Sequence, residues 1–349
     1  VALGYQVETL PRNVRGCAEC GPCVYGCPHG AKQDALVTYL QDAVDAGAQV
    51  LVHCAAERIV ARGGAVVGVE ATAADGDRRH RVEIRCRTVV LAGGALFSPA
   101  LLLRSGLGNS MVGRGLRLHP VTAGLGVYER PIGIWAGRPQ TAVCTEFARV
   151  AGTHGFSIEA APAHPGLAAL AFPWRNGADH KNLMTRYAHA AAFIVLVRDH
   201  GSGRVRVTPR GDPLVHYGLH PEDRSLMLRG LAEMGRIHLA AGAQEVFSLQ
   251  TRRVQVRRDT PDAAGRFARD TQAVGIRPNA LSMFSAHLMG SLPMGADPRR
   301  AAVDPAGQLY GVRGLYISDA SVFPSAPGVN PMITVMAMAH RTAQRVGAP

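Results

Sequence analysis

Three short stretches carry side chains that could do chemistry. FSAHLMGSLPMG (Phe284–Gly295) sets a lone histidine, His287, beside a glycine-rich turn. A neutral imidazole, with an ordinary pKa of about 6.5, can take up or hold a proton near neutrality. GLYISDASVFPSAPGVNPMITVMAMAHRTAQRV (Gly314–Val346) offers a carboxylate, Asp319, and an amide, Asn330. CAECGPCVYGCPHGAK places Cys17, Cys20, Cys23 and Cys27 at the C-x2-C-x2-C-x3-C-P spacing of ferredoxin iron–sulfur ligands. In two-cluster ferredoxins the fourth cysteine serves a second cluster, and no second run exists here. Four thiolates also suit zinc, and in an exported protein such residues form disulfides. The spacing leaves iron–sulfur, zinc and structural or disulfide cysteines open. Cys54, Cys86 and Cys144 are isolated and apolar-flanked, and read as core residues.

The elements around these residues predict how they are held. GLYISDA is a short apolar run between turn signals, expected as a buried parallel strand. Asp319 then falls at the strand's carboxyl end, where open α/β sheets bind ligands. Asn330-Pro331 reads as N-cap and first residue of a helix over Met332–Val346. Such a helix start carries partial positive charge and free N–H groups. TVVLAGG (Thr88–Gly94) runs into the apolar helix LFSPALLLRSG, and Gly93-Gly94 let a ligand approach the backbone closely. Upstream, AKQDALVTYLQDAVDAG (Ala31–Gly47) has helical spacing, with Leu36, Leu40, Ala43 and Val44 on one face. The stretch from AQVLVHC to TVVLAGG reads as consecutive strands, turned at Gly63-Gly64 and Asp75-Gly76. Residues 121–278 are less legible. They hold the strand candidates TAGLGVYE, AAFIVLVRD and GRVRVTP, and a helix started by Pro221-Glu222-Asp223 and stopped by Gly242.

Composition narrows the function classes. At 349 residues the chain suggests about two domains, and 47% hydrophobic residues can bury a sizeable core. The net charge of +12 invites a nucleic-acid reading. The only lysines, however, are Lys32 and Lys181, the arginines are scattered, and aromatics make up 5%. Without a basic run and interleaved aromatics, a specific nucleic-acid role is not expected. No uninterrupted apolar stretch is long enough for a transmembrane helix. The start lacks the layout of a signal peptide and an initiator Met, so an internal start is expected. A cytoplasmic location is expected, with periplasmic or membrane-peripheral placement as alternatives.

The order His287, Asp-Ala-Ser, Asn-Pro, long apolar helix resembles the C-terminal signature of the glucose–methanol–choline (GMC) flavoprotein oxidoreductases. VVLAGGA…SP…LL…SG and VGRGLRLHP (Val112–Pro120) follow the family order too, and the likeness is nearest to its fatty-alcohol-oxidase-like branch. Gly115 departs from it, since the family usually has Asn there. The resemblance implies an α/β fold, with a discontinuous Rossmann-like FAD-binding domain interrupted by an α+β substrate domain on an antiparallel sheet. Residues 1–118 and 284–349 would form the first and 119–283 the second. It implies oxidation of an alcohol by hydride transfer to flavin N5, with His287 as general base and Asn330 as donor to the substrate oxygen. Asp319 and Ala320 would lie on the ribityl–pyrophosphate side of FAD, Met332 near the isoalloxazine, Ala56 near the adenine, and Gly93 and Gly94 along the cofactor.

The family's strand–G-x-G-x-x-G start, which holds the pyrophosphate, is not found in these residues. The expectation is therefore a fragment, or a chain completed by a second, FAD-binding polypeptide, and a poor FAD binder by itself. Electrons would pass to O2, a quinone or a cytochrome. Cys27-Pro28-His29-Gly30-Ala31 also matches the C-P-x-G-A ending of a three-iron segment in certain membrane-linked flavin glucose dehydrogenases. Fatty-alcohol-oxidase-like members carry a similar cysteine-rich segment not associated with a cluster. The alternative of a different class is a non-enzymatic fragment, or an electron-transfer subunit using the Cys17–Cys27 run.

Overall fold

Paired glycines set the first sheet. Gly63 and Gly64 lie at φ +58° and +72° and Gly76 at +56°, a left-handed backbone that side chains resist. They turn Cys54–Arg62, Ala65–Asp75 and Arg78–Arg85 into a three-stranded antiparallel meander. The computed structural model describes residues 3–161 and 163–346. It divides into two units. The meander belongs to the one built from Gln49–His119, Asp199–His220 and Ser285–Pro349.

In that unit Val89–Leu91 pairs in parallel with Leu315–Ile317, and Arg114–Leu116, Gly203–Val207 and Pro213–His216 form a small antiparallel sheet. The core gathers Ile59, Leu102, Met289, Leu292, Val303, Leu315 and Ile317, each at most 1% exposed. The Gly94–Ser105 helix packs into it through Leu101 and Leu102. Pro99 sits inside this helix and has no N–H to give the carbonyl one turn back. Ser291 supplies the missing donor, its hydroxyl reaching the Ala95 carbonyl at 2.6 Å. Gly106, at φ +67°, closes the helix in the left-handed conformation usual for a C-terminal stop.

The other unit, Val1–Ala48, Pro120–Arg198 and Pro221–Phe284, is built on a seven-stranded antiparallel sheet. Val121–Val127 lies inside it between Ala190–Val197 and Glu245–Ser248. All seven of its residues are buried, and its glycines are why. A Cβ at Gly124 would stand 1.9 Å from Met234 Cε, and one at Gly126 2.5 Å from His238 Nδ1. The Pro221–Ala240 helix thus lies directly on the strand, with Met227, Leu231, Met234 and His238 on its buried face at helical spacing.

Val1–Ala48 falls in the seven-stranded unit and Asp199–His220 in the parallel-strand unit. The helix expected over Ala31–Gly47 is confined to Tyr39–Asp45, and Leu36, Leu40 and Val44 are exposed. A seven-residue helix with no side-chain cap has little to hold it beyond packing, and none of its residues is buried. No helix of the described residues is long and apolar enough to cross a membrane.

Candidate functional site

Asp319 leaves the Leu315–Ile317 strand at its carboxyl end and reaches the start of the Gly94–Ser105 helix. Its Oδ2 accepts the Gly94 N–H at 2.9 Å and the Ser98 hydroxyl at 2.5 Å, and its Oδ1 accepts the Ser321 N–H at 2.8 Å. Ser98 in turn accepts the Gly93 N–H at 3.0 Å. A carboxylate is favoured at a helix N-terminus, and here it pins strand to helix. Beside that corner Ala92 and Gly93 are exposed. Gly94 lies at φ +76°, with no atom within 4 Å of where a Cβ would stand. A dinucleotide needs such close backbone approach at the carboxyl ends of parallel strands, so the residues present fit FAD. Of the other expected cofactor residues, Ala320 is half-buried and its carbonyl accepts the Gly290 N–H at 3.0 Å. Ala56 is exposed on its strand, and Met332 is exposed at the start of its helix.

His287 is half-buried, in the same unit. Burial holds its pKa below the ordinary histidine value. Its Nδ1 lies 3.1 Å from Nδ1 of His119, with the rings at 83°, and its main-chain N–H meets Ser285 Oγ at 3.2 Å. Among the described residues Nε2 makes no hydrogen bond, which leaves it for a ligand. His119 is fully buried. Its Nε2 accepts the Gly328 N–H at 3.1 Å, two residues before Asn330, so His119 ties the His287 segment to the Asn330 segment.

Asn330 itself is exposed. The helix begins at Met332, and the Pro331 carbonyl accepts the Val335 N–H at 2.8 Å. Pro331 therefore takes the cap position expected for Asn330, a shift of one residue.

A buried carboxylate supports the His119 backbone. Asp199 accepts the Leu118 N–H at 3.0 Å, the His119 N–H at 3.3 Å and the Tyr217 hydroxyl at 3.0 Å. Burial raises its pKa, and those donors oppose the rise. Arg117 anchors the same turn by donating to the carbonyls of Asp199, His200 and Gly201. Sequence reasoning missed His119, Asp199, Tyr217 and Gly328. His119 stood inside a quoted motif, but nothing local says that it meets a residue 168 positions away. Asp199, an acid at the end of the apolar run AAFIVLV, was the readable hint.

Among the described residues no group of three or more His, Cys, Asp or Glu could hold a metal ion, and all seven cysteines are free thiols. Cys17, Cys20, Cys23 and Cys27 do not form such a group and are not joined in disulfides in this structure. Local turns use the sulfurs instead. Cys17 Sγ accepts the Glu19 N–H at 3.4 Å and Cys27 Sγ the Ala31 N–H at 3.2 Å. Gly21, between them, lies so close to Trp135 that a Cβ would stand 2.0 Å from its carbonyl oxygen. Of the isolated cysteines Cys144 is buried, while Cys54 and Cys86 are only partly so.

Comparison with known proteins bears on the whole chain. Family models described as GMC oxidoreductase match residues 1–121 with the family's N-terminal part and residues 199–339 with its C-terminal part. A long-chain-alcohol oxidase of Arabidopsis thaliana is 34% identical over 99% of this chain and 48% of its own length. An uncharacterized GMC-type oxidoreductase of Sinorhizobium fredii is 34% identical over 98% of this chain and 66% of its own. The chain spans about half the length of the plant alcohol oxidases it matches. In fold it is similar to pyridoxine 4-oxidase from Mesorbium loti, with a TM-score of 0.68 at 20% identity over 92% of this chain and 62% of that one.

Proposed function

The chain belongs to the GMC oxidoreductase family, and on that footing we propose that it carries the substrate-handling residues of an FAD-dependent oxidation of an alcohol to an aldehyde or ketone. The observation that carries this reading is His287. It is half-buried and fixed through Nδ1, its Nε2 is unspent, and its segment is tied through His119 to that of Asn330.

Oxidising a carbinol removes a hydride from carbon and a proton from oxygen. Bound FAD would supply the hydride acceptor. Ala92, Gly93 and Gly94 would hold it by backbone, with Ala320, Met332 and Ala56 as further contacts and Asp319 fixing the corner they form. His287 meets the hydroxyl at Nε2, and the Asn330 amide donates to its oxygen. The family resemblance implies the part of general base for His287, and an imidazole kept neutral by burial is suited to handling that proton. Holding the FAD pyrophosphate falls to a segment outside these residues, on the same polypeptide or a second one. Relatives named as alcohol oxidases support this reading.

Stopped-flow reduction of the flavin-loaded protein by an accepted alcohol tests it. His287→Ala is expected to slow reduction by about 10²–10⁴-fold with little loss of flavin. Reduction at the wild-type rate between pH ~6 and ~9 would remove His287 from the reaction.

A further inference from the structure

Three arginines share one face of the small antiparallel sheet in the parallel-strand unit, and no acid answers them. Arg204 is paired directly with Arg114 on one neighbouring strand and with His216 on the other. Arg206 follows two residues on, so its side chain leaves the same face. The strands Arg114–Leu116, Gly203–Val207 and Pro213–His216 contain no Asp or Glu. Among the described residues none of the three guanidinium groups makes a hydrogen bond or an ion pair. Arg58 of the same unit shows the usual arrangement, set across from Glu70 and paired with it at 2.5 Å.

Like charges directly opposite each other on a sheet are destabilising. The Arg114 charge, then partial desolvation and the Arg206 charge, hold the Arg204 pKa below the usual arginine value. An anion seated among the guanidinium groups relieves such a row.

A cavity lies beside it. Arg114–Leu116 pairs only with Gly203 and Arg204. Gly113, at φ +80°, accepts the Val205 N–H at 2.7 Å through its carbonyl and bends the chain aside. Val205–Val207 therefore runs on past the end of its neighbour. The opening there measures about 310 Å³ and is lined by Leu103, Val112, Val205 and Val207 together with Arg204 and Arg206. Small-molecule sites have this make-up, with apolar walls, a few polar groups that fix orientation, and volumes from about 300 Å³ upward.

We infer that this corner binds a small amphiphilic anion, its carboxylate or phosphate head held by Arg204, Arg206 and Arg114 and its short aliphatic body laid against Leu103, Val112 and Val207. The planar guanidinium fork matches both oxyanions and can take either one bidentately. The apolar walls set this ligand apart from a bare inorganic ion, and the arginines set it apart from a neutral hydrocarbon. The site uses no residue assigned above to the alcohol or to FAD, so it stands or falls separately from the proposed oxidation.

Isothermal titration of the full chain with octanoate, octyl phosphate and inorganic phosphate tests it and needs no flavin. At least one octyl anion is expected to bind, and Arg204→Gln and Arg206→Gln should each weaken it about 10- to 100-fold. The tighter of the two heads identifies the ligand's charge as carboxylate or phosphate. Inorganic phosphate should bind at least about 10-fold more weakly than the octyl anion, since it forgoes the apolar walls. Arg210→Gln, which removes an exposed arginine outside the cavity, should bind as the wild type does and so exclude attraction by net charge alone. Without ligand, Arg204→Gln and Arg206→Gln should melt no lower than the wild type, because each removes only repulsion.

The inference is overturned if neither octyl anion binds, if the two arginine variants bind like the wild type, or if Arg210→Gln loses as much affinity as they do. Inorganic phosphate binding as tightly as octyl phosphate removes the apolar walls from the site and overturns it too. A lowered melting midpoint in the ligand-free arginine variants shows that the row is not uncompensated, and the argument for an anion fails with it.

Discussion

His287 and His238 are two imidazoles whose pKa burial depresses, yet they do opposite work. His238 is fully enclosed, its pKa pushed down to about 3. It stacks on Phe193 with ring centroids 4.3 Å apart, rests against Gly126, and shares a 2.9 Å hydrogen bond with the Tyr128 hydroxyl. Its Nε2 is buried with no hydrogen-bond partner among the described residues. His287 is also kept neutral, but its Nε2 is not sealed in. A lowered pKa is thus common to both and marks neither as a site. What separates them is where the unspent nitrogen lies. His238 serves as a polar filler of the space the Gly126 position leaves open, whereas His287 spends Nδ1 on the fold and keeps Nε2.

If that contrast holds, the two positions respond to substitution in opposite ways. His238→Ala empties a fully packed site and should cost about 3 kcal/mol in urea unfolding, while His287→Ala, which gives up one hydrogen bond to His119 from a half-buried position, should cost about 1 kcal/mol. Equal losses would break the comparison. Acid sharpens it. The folded pKa of His238 lies below its unfolded value of about 6.5, so the unfolded chain binds the extra proton. The contribution is fully present above that value and is lost as pH falls toward the folded one. Between pH ~7 and ~5 the wild type should lose about 2 kcal/mol through this residue, and His238→Leu should flatten that slope. Unfolding midpoints across the window decide it. The smallest effect concerns the support of the open site. Tyr217→Phe removes one donor to Asp199 and should cost about 1 kcal/mol, where a change of several kcal/mol would make Tyr217 more than a prop.

Elements whose signals are local were legible. The meander follows from Gly63-Gly64 and Asp75-Gly76 between β-rich runs, and the Met332–Val346 helix from Pro331 and an apolar stripe. The Pro221–Ala240 helix follows from its acidic first turn. The Tyr39–Asp45 region misled, because helical spacing at Leu36, Leu40 and Val44 promises a buried face only where something packs against it. The cysteine run was ambiguous for a related reason. Spacing reports which sulfurs could reach one metal, and the turns at Gly16, Gly21, Gly26 and Gly30 decide whether they do. His287 and Asn330 could be singled out from their segments. Their link through His119 could not, since it joins residues from distant parts of the chain and depends on a backbone N–H, which no side-chain pattern encodes.

The Gly94–Ser105 helix has a consequence for how this sequence can drift. Pro99 leaves the Ala95 carbonyl without its helical donor, and a hydroxyl from a loop some two hundred positions later supplies it. Ser291 is thus, in hydrogen-bonding terms, an honorary member of a helix it does not belong to. The two positions are bound to change together. A residue with a main-chain N–H at 99 makes the hydroxyl at 291 dispensable, while loss of that hydroxyl beside proline strands a buried carbonyl. Among descendants of this sequence, position 291 should keep a short hydroxyl for as long as position 99 keeps its ring.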